Sequence, residues 1–120
     1  MKYLCLVYPA EEFAITPEVV SEFLKFQRAA TDAGVFIDSG RLQPADTATT
    51  LRLQHGEAVL TDGPFAEIKE HVGGYVLLDC ADLDEVITWA STLPGVRDGA
   101  VEIRPLLKVI APSRCAAALW

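Results

Sequence analysis

Residues 2–8, KYLCLVY, are rich in β-formers and almost continuously apolar, the pattern of a central strand covered on at least one face. The pattern then changes period. Thr16-Pro17 offers an N-cap followed by proline at the first helical position, where a missing N–H costs nothing, and Glu18 suits the positive end of the helix dipole. Val19, Phe23, Phe26, Ala30 and Ala33 recur at spacings of four, three, four and three, the stripe of an amphipathic helix that stops at Gly34. Residues 35–42 return to a strand pattern, and Gln43-Pro44-Ala45-Asp46 reads as the turn that ends it. Thr49–Gln54 and Ala58–Thr61 flank His55-Gly56-Glu57 and predict a compact hairpin. Gly73-Gly74 opens Tyr75–Cys80, a strand by composition. Asp82 followed by Glu85 has capping-box spacing, and Leu83, Val86/Ile87, Ala90 and Leu93 supply an apolar face before Pro94-Gly95. Residues 100–107 form the last strand, and 109–120 read as a C-terminal tail.

Strand, helix, strand, hairpin, strand, helix, strand is an α+β order, a βαββαβ skeleton with an inserted hairpin in one domain over residues 1–108. Helices on one face of such a sheet leave the other face to water or a partner. In the last strand Val101 and Ile103 point one way while Glu102 and Arg104 point the other. In the preceding one Tyr75, Leu77 and Asp79 oppose Val76, Leu78 and Cys80, so both faces need cover. That predicts a homodimer whose sheets pack together and leave a polar cavity.

The chain has 120 residues, enough for one core, and 10 Lys+Arg against 17 Asp+Glu give a net charge of −7. With no basic run, direct nucleic-acid binding is disfavoured. The N-terminal apolar run meets Pro9 and is too short for a signal peptide or a membrane span. Cys5, Cys80 and Cys115 are far apart and form no C-x-x-C pair, which argues against a disulfide framework or a zinc site and suits the cytoplasm. No metal and no cofactor is expected.

The densest chemistry lies between Asp62 and Tyr75, DGPFAEIKEHVGGY. Asp62, held on a stiff Gly-Pro turn, is the candidate general base or polarising acceptor. Glu67 and Lys69 would set its charge state, His71 is a base suited to neutral pH, and Phe65 and Tyr75 would wall a substrate site. Arg104 would orient an anionic substrate, although Glu102 and Arg104 are equally explained as a structural ion pair. Plain turn chemistry at Asp62 and solvated charges at Glu67, Lys69 and Glu70 account for the same residues without any site.

Asp62-Gly63-Pro64-Phe65-Ala66-Glu67-x-Lys69-Glu70-x-x-Gly73-Gly74-Tyr75, the opening Met1-Lys2-Tyr3, Gly40-x-Leu42-x-Pro44 and the closing Gly99-Ala100-Val101-Glu102-Ile103-Arg104-Pro105 together resemble the YCII-related family in its DGPF-domain branch, over residues 1–107. The resemblance implies a ferredoxin-like protomer pairing through its open sheet face into a dimeric α/β barrel. It also implies acid-base chemistry by a His-Asp pair whose aspartate falls on Asp62, and a transcription-related protein partner, since relatives are encoded beside sigma factors. Where many relatives place a histidine just before Gly-Ala-Val-Glu this chain has Asp98, which leaves His71 or water as proton partner. The expected function is binding of a small polar or anionic molecule near Asp62–Phe65, with acid-base catalysis as its extension. The alternative is a non-enzymatic regulatory or interaction protein.

Overall fold

A computed structural model describes residues 1–65 and 71–108 of the chain. The elements follow the order β1 (Lys2–Tyr8), α1 (Pro17–Asp32), β2 (Phe36–Arg41), β3 (Thr49–Gln54), β4 (Glu57–Asp62), β5 (Gly74–Asp79), α2 (Leu83–Ala90) and β6 (Ala100–Pro105). Short 3₁₀ turns at Ala45–Thr47 and Pro94–Val96 connect them. Thr16 caps α1 by accepting from the Val19 N–H at 3.2 Å, with Pro17 in the first turn. Asp82 accepts from the Glu85 N–H at 2.9 Å, and the Glu85 carboxylate reaches back to the Ala81 N–H at 3.3 Å, a capping box shifted by one residue.

The main sheet has four strands in the order β2-β5-β1-β6, all antiparallel to their neighbours. Strand β1 is therefore parallel to β2 but separated from it by β5, and β5 is parallel to β6 but separated from it by β1. The two β-α-β units are thus interleaved, and their helices supply the buried side chains that cover one face. The core lies there: Tyr3, Cys5, Val76 and Leu78 from the strands meet Phe26 and Ala30 of α1 and Val86 and Ala90 of α2. Phe26 is the hinge of an aromatic cluster, 5.9 Å from Phe23 and 6.2 Å edge-on to Trp89.

The hairpin β3–β4 is a separate two-stranded ribbon that does not join the main sheet. His55 and Gly56 turn it, with φ of 52° and 80°, the left-handed pair a two-residue hairpin demands. The expected three-residue turn is thus one residue shorter and β4 starts at Glu57. The main sheet is open, with β2 and β6 as edges. On the helix-free face the register sets Gly40, Tyr75, Leu6 and Glu102 in one row and Asp38, Leu77, Leu4 and Arg104 in the next. Its centre is apolar and half-buried, and its margins are charged.

Further expectations need correction, the last strand among them, since it ends at Pro105 rather than at residue 107. Of the expected α2 face, Val86, Ala90 and Leu93 are buried, but Leu83 and Ile87 are 50% and 45% exposed, so the face begins at Val86, with Trp89 partly buried against the core. Val86 and Ile87 differ by one residue of rotation, and only the position of the sheet selects between them. Ala33, assigned to the α1 stripe, is exposed and serves as its C-cap. The second strand ends at Arg41 rather than residue 42, and its register slips between Phe36 and Asp38, leaving Ile37 in a bulge. The tail at 109–120 lies outside the described residues.

Candidate functional site

Two backbone hydrogen bonds extend the sheet to the residue before the start of β5. The Gly73 N–H donates to the Val7 carbonyl at 2.7 Å, and the Leu42 N–H donates to the Gly73 carbonyl at 2.9 Å. They bring residues 71–73 beside the end of β1 and the chain leaving β2. The Asp62-Gly63-Pro64 turn is pinned separately. Gly63, at φ +103°, donates to the Ala48 carbonyl at 2.7 Å and accepts from the Thr50 hydroxyl at 2.7 Å, which ties the turn to the base of the ribbon.

A cavity of about 380 Å³ opens where these pieces meet, walled by Tyr8, Gln43, Thr47, Pro64 and His71 among others. Residues on both sides of the undescribed segment 66–70 thus face one space. Its wall offers a phenol, an amide, a hydroxyl and an imidazole, a set that hydrogen-bonds a polar ligand as donor or acceptor. Tyr8 links the cavity to charge: its hydroxyl donates to Glu102 Oε1 at 3.3 Å, and Arg104 Nη1 donates to Glu102 Oε2 at 3.2 Å. Both members of that ion pair are solvent-exposed, so the pair contributes about 0–1 kcal/mol and Arg104 can exchange Glu102 for another anion at little cost.

The predicted residues separate into groups. His71 walls the cavity, and Arg104 is joined to it through Glu102 and Tyr8. Asp62 ends β4, exposed, and does not line the cavity. Phe65 is 76% exposed and lies under the Arg52 guanidinium at 5.7 Å, a contact with the ribbon. Tyr75 sits on the helix-free face, two strands from Glu102, where its hydroxyl donates to Asp38 Oδ2 at 3.0 Å. That hydrogen bond and the negative charge behind it hold the phenol above its ordinary pKa. Glu67 and Lys69 lie outside the described residues. Asp98 precedes β6 with φ 59°, exposed, in a left-handed turn that Gly99 follows.

Sequence reasoning missed Tyr8, Gln43 and Thr47. Tyr8 carried one usable signal, its place at the end of a buried strand on the face opposite Tyr3 and Cys5, where side chains alternate outward. The buried thiols of Cys5 and Cys80 are pushed up to about 11, chiefly by burial, and behave as core residues. Among the described residues no three His, Cys, Asp or Glu side chains gather as metal ligands would, and no helix is long and apolar enough to cross a membrane.

Comparison with known proteins gives two matches. A protein of Rhizobium meliloti (strain 1021), itself described as uncharacterized, is 41% identical over 90 residues, covering 73% of this chain and 73% of that protein. The model of the YCII-related domain matches residues 1–110, which takes in both interleaved β-α-β units, the ribbon and the cavity between them, and the chain therefore belongs to the YCII-related family.

Proposed function

We propose that this chain is a homodimeric small-molecule-binding protein of the DGPF-domain branch, and that each protomer holds a small polar or anionic molecule in the cavity beside Pro64 and His71. The observation that carries this reading is the cavity itself: about 380 Å³, within the roughly 300–1,000 Å³ typical of ligand sites, with four hydrogen-bonding residues in its wall and Arg104 within reach through Glu102. Arg104 binds the ligand's negative charge, and His71 exchanges a proton with it. Asp62 joins the site as acid or base, with Glu67 and Lys69 tuning its charge, and Phe65 and Tyr75 close over the ligand when two ferredoxin-like protomers pair into an α/β barrel. Support for pairing comes from half-buried Leu4, Leu6 and Leu77 on a sheet face with no helix, and from Leu51, Leu53 and Leu60, which share one face of the ribbon at 60%, 73% and 68% exposure.

The test is a thermal-shift screen of small carboxylates, phosphates and polar metabolites against the wild-type chain, His71→Gln, Arg104→Gln and Asp62→Asn. A ligand at 100 times its Kd stabilises the folded state by about 2.7 kcal/mol, several degrees in Tm. Hits lost in His71→Gln and Arg104→Gln uphold the site, and loss in Asp62→Asn as well assigns it the acid-base role. An empty screen, or hits indifferent to all three variants, sinks the reading and leaves an interaction protein as the better description. Sedimentation of the wild type and Leu53→Asp tests the pairing, with a monomeric wild type as the refuting result.

A further inference from the structure

A second cleft lies on the helix side of the sheet, lined by Val7, Arg41 and Gly73 where their neighbours Tyr8, Leu42 and Val72 line the cavity at His71. It has a volume of about 210 Å³ and is bounded by Val19, Val20, Phe23 and Leu24 of α1, by Phe13 and Ile15 of the segment before α1, and by the ends of the strands beneath. Nearly every side chain in it is hydrocarbon. Ser39 and Arg41 break the pattern, and they share one face of β2 because they are two residues apart; Tyr75 also borders the cleft, but its hydroxyl donates to Asp38 on the helix-free face. The Arg41 guanidinium lies 5.9 Å from the Phe13 ring centroid. Among the described residues no carboxylate pairs with Arg41, although carboxylates outnumber cations 17 to 10 in the chain. A stacked ring leaves most of a guanidinium's five N–H donors to be satisfied.

We propose that this cleft binds an apolar monocarboxylate, with its short alkyl or aryl portion among the α1 side chains and its carboxylate on Arg41 and the Ser39 hydroxyl. The charge assigns the head group: one cation and one hydroxyl at the edge of an otherwise apolar space match one carboxylate and no second charge. The volume assigns the tail. About seven water volumes of roughly 30 Å³ each suit a group of six to ten heavy atoms better than a long-chain lipid or a nucleotide. The mouth supplies access, since Ile15, Val20 and Leu24 are 46%, 46% and 56% exposed around it. Phenylacetate and hexanoate are of the right class.

The experiment is an NMR titration of the full ¹⁵N-labelled chain with phenylacetate and with hexanoate, each paired with its primary amide, on wild type and Arg41→Gln. Arg41 is exposed, so the substitution leaves the core untouched. Saturable shifts at Val19, Val20, Arg41 and Gly95, weakened about ten- to a hundredfold in the amides and in Arg41→Gln, bear the proposal out, as expected for loss of one or two charge-assisted hydrogen bonds. Ile15→Trp, which fills the mouth from an exposed position, should abolish the shifts. The absence of saturation at millimolar acid, equal binding of acid and amide, or shifts centred on Thr47 and His71 would overturn it. The last result would reassign the acids to the cavity of the preceding section, so the two sites fail separately.

Discussion

Replacing Gly99 by alanine adds one methyl group at an exposed position, where substitutions ordinarily change stability by less than about 0.5 kcal/mol. The geometry says otherwise. A Cβ at Gly99 falls 2.4 Å from the Tyr8 carbonyl oxygen, 2.9 Å from the Gly95 carbonyl oxygen and 3.0 Å from the Ala10 nitrogen. All three are backbone atoms, so no side chain can rotate out of the way. Carbon contacts settle near about 3.5 Å, and the end of β1 must therefore move about 1 Å from the start of β6. Overpacking of this kind costs about 1–3 kcal/mol, which for a domain near 110 residues is a fall in Tm of roughly 4–12 °C. Thermal melts followed by circular dichroism read it directly. Gly34→Ala is the comparison, because Gly34 has φ +76° with nothing within 4 Å of its Cβ position and should lose only the left-handed strain of about 1–2 kcal/mol. A Gly99→Ala melt within about 1 °C of wild type would refute the close approach as the reason for this glycine.

Leu78→Ala, at a fully buried position, should cost about 2–5 kcal/mol, whereas Ile87→Ala on the exposed side of α2 should cost much less; urea titration separates them, and equal losses would contradict the face assigned to α2. Tyr75 should ionise at higher pH than an unperturbed tyrosine, and Asp38→Asn should return it towards the ordinary value, read by tyrosinate absorbance with Tyr3→Phe and Tyr8→Phe chains to assign the steps. The thiols of Cys5 and Cys80 titrate near 11 in the folded state against about 8.5 for an unperturbed cysteine, so the unfolded chain releases these protons first. Stability is accordingly intact below about pH 8.5 and declines as pH rises toward 11. At pH 8, iodoacetamide followed by peptide mass mapping should leave both residues unlabelled in the native chain, and rapid labelling of either would count against their burial.

Strands and helices were legible because each has its own period. Lys2–Tyr8, Pro17–Asp32 and the βαββαβ order emerge from alternation, a proline-capped start and a 3.6-residue stripe, all local signals. The face of α2 was legible at Ala90 and Leu93, but the choice between Val86 and Ile87 was not, since both are apolar and it belongs to the sheet beneath them. The site was half legible. Pro64 and His71 stand out in a segment dense with chemistry, but Tyr8, Gln43 and Thr47 come from two other stretches of chain, brought in by the Gly73–Val7 and Leu42–Gly73 hydrogen bonds. Nothing in the vicinity of those residues announces a contact made at such sequence distance. Asp62 drew attention for its chemistry, yet the part of the turn that is anchored is Gly63, whose backbone bonds to Ala48 and Thr50.

That anchoring gives the ribbon a thermodynamic role. Two strands alone are marginally stable in water, so β3–β4 is expected to open before the main sheet and to exchange its amides faster. Because Ala48 and Thr50 at its base hold Gly63, the turn that delivers Pro64 to the cavity is ordered only while the ribbon is closed. If the cavity binds a ligand as proposed, its apparent affinity is its intrinsic affinity multiplied by the closed fraction. Any surface that covers Leu51, Leu53 and Leu60 would then raise that fraction and tighten the proposed binding without touching the ligand, and by reciprocity a bound ligand would strengthen the hold of that surface on the ribbon.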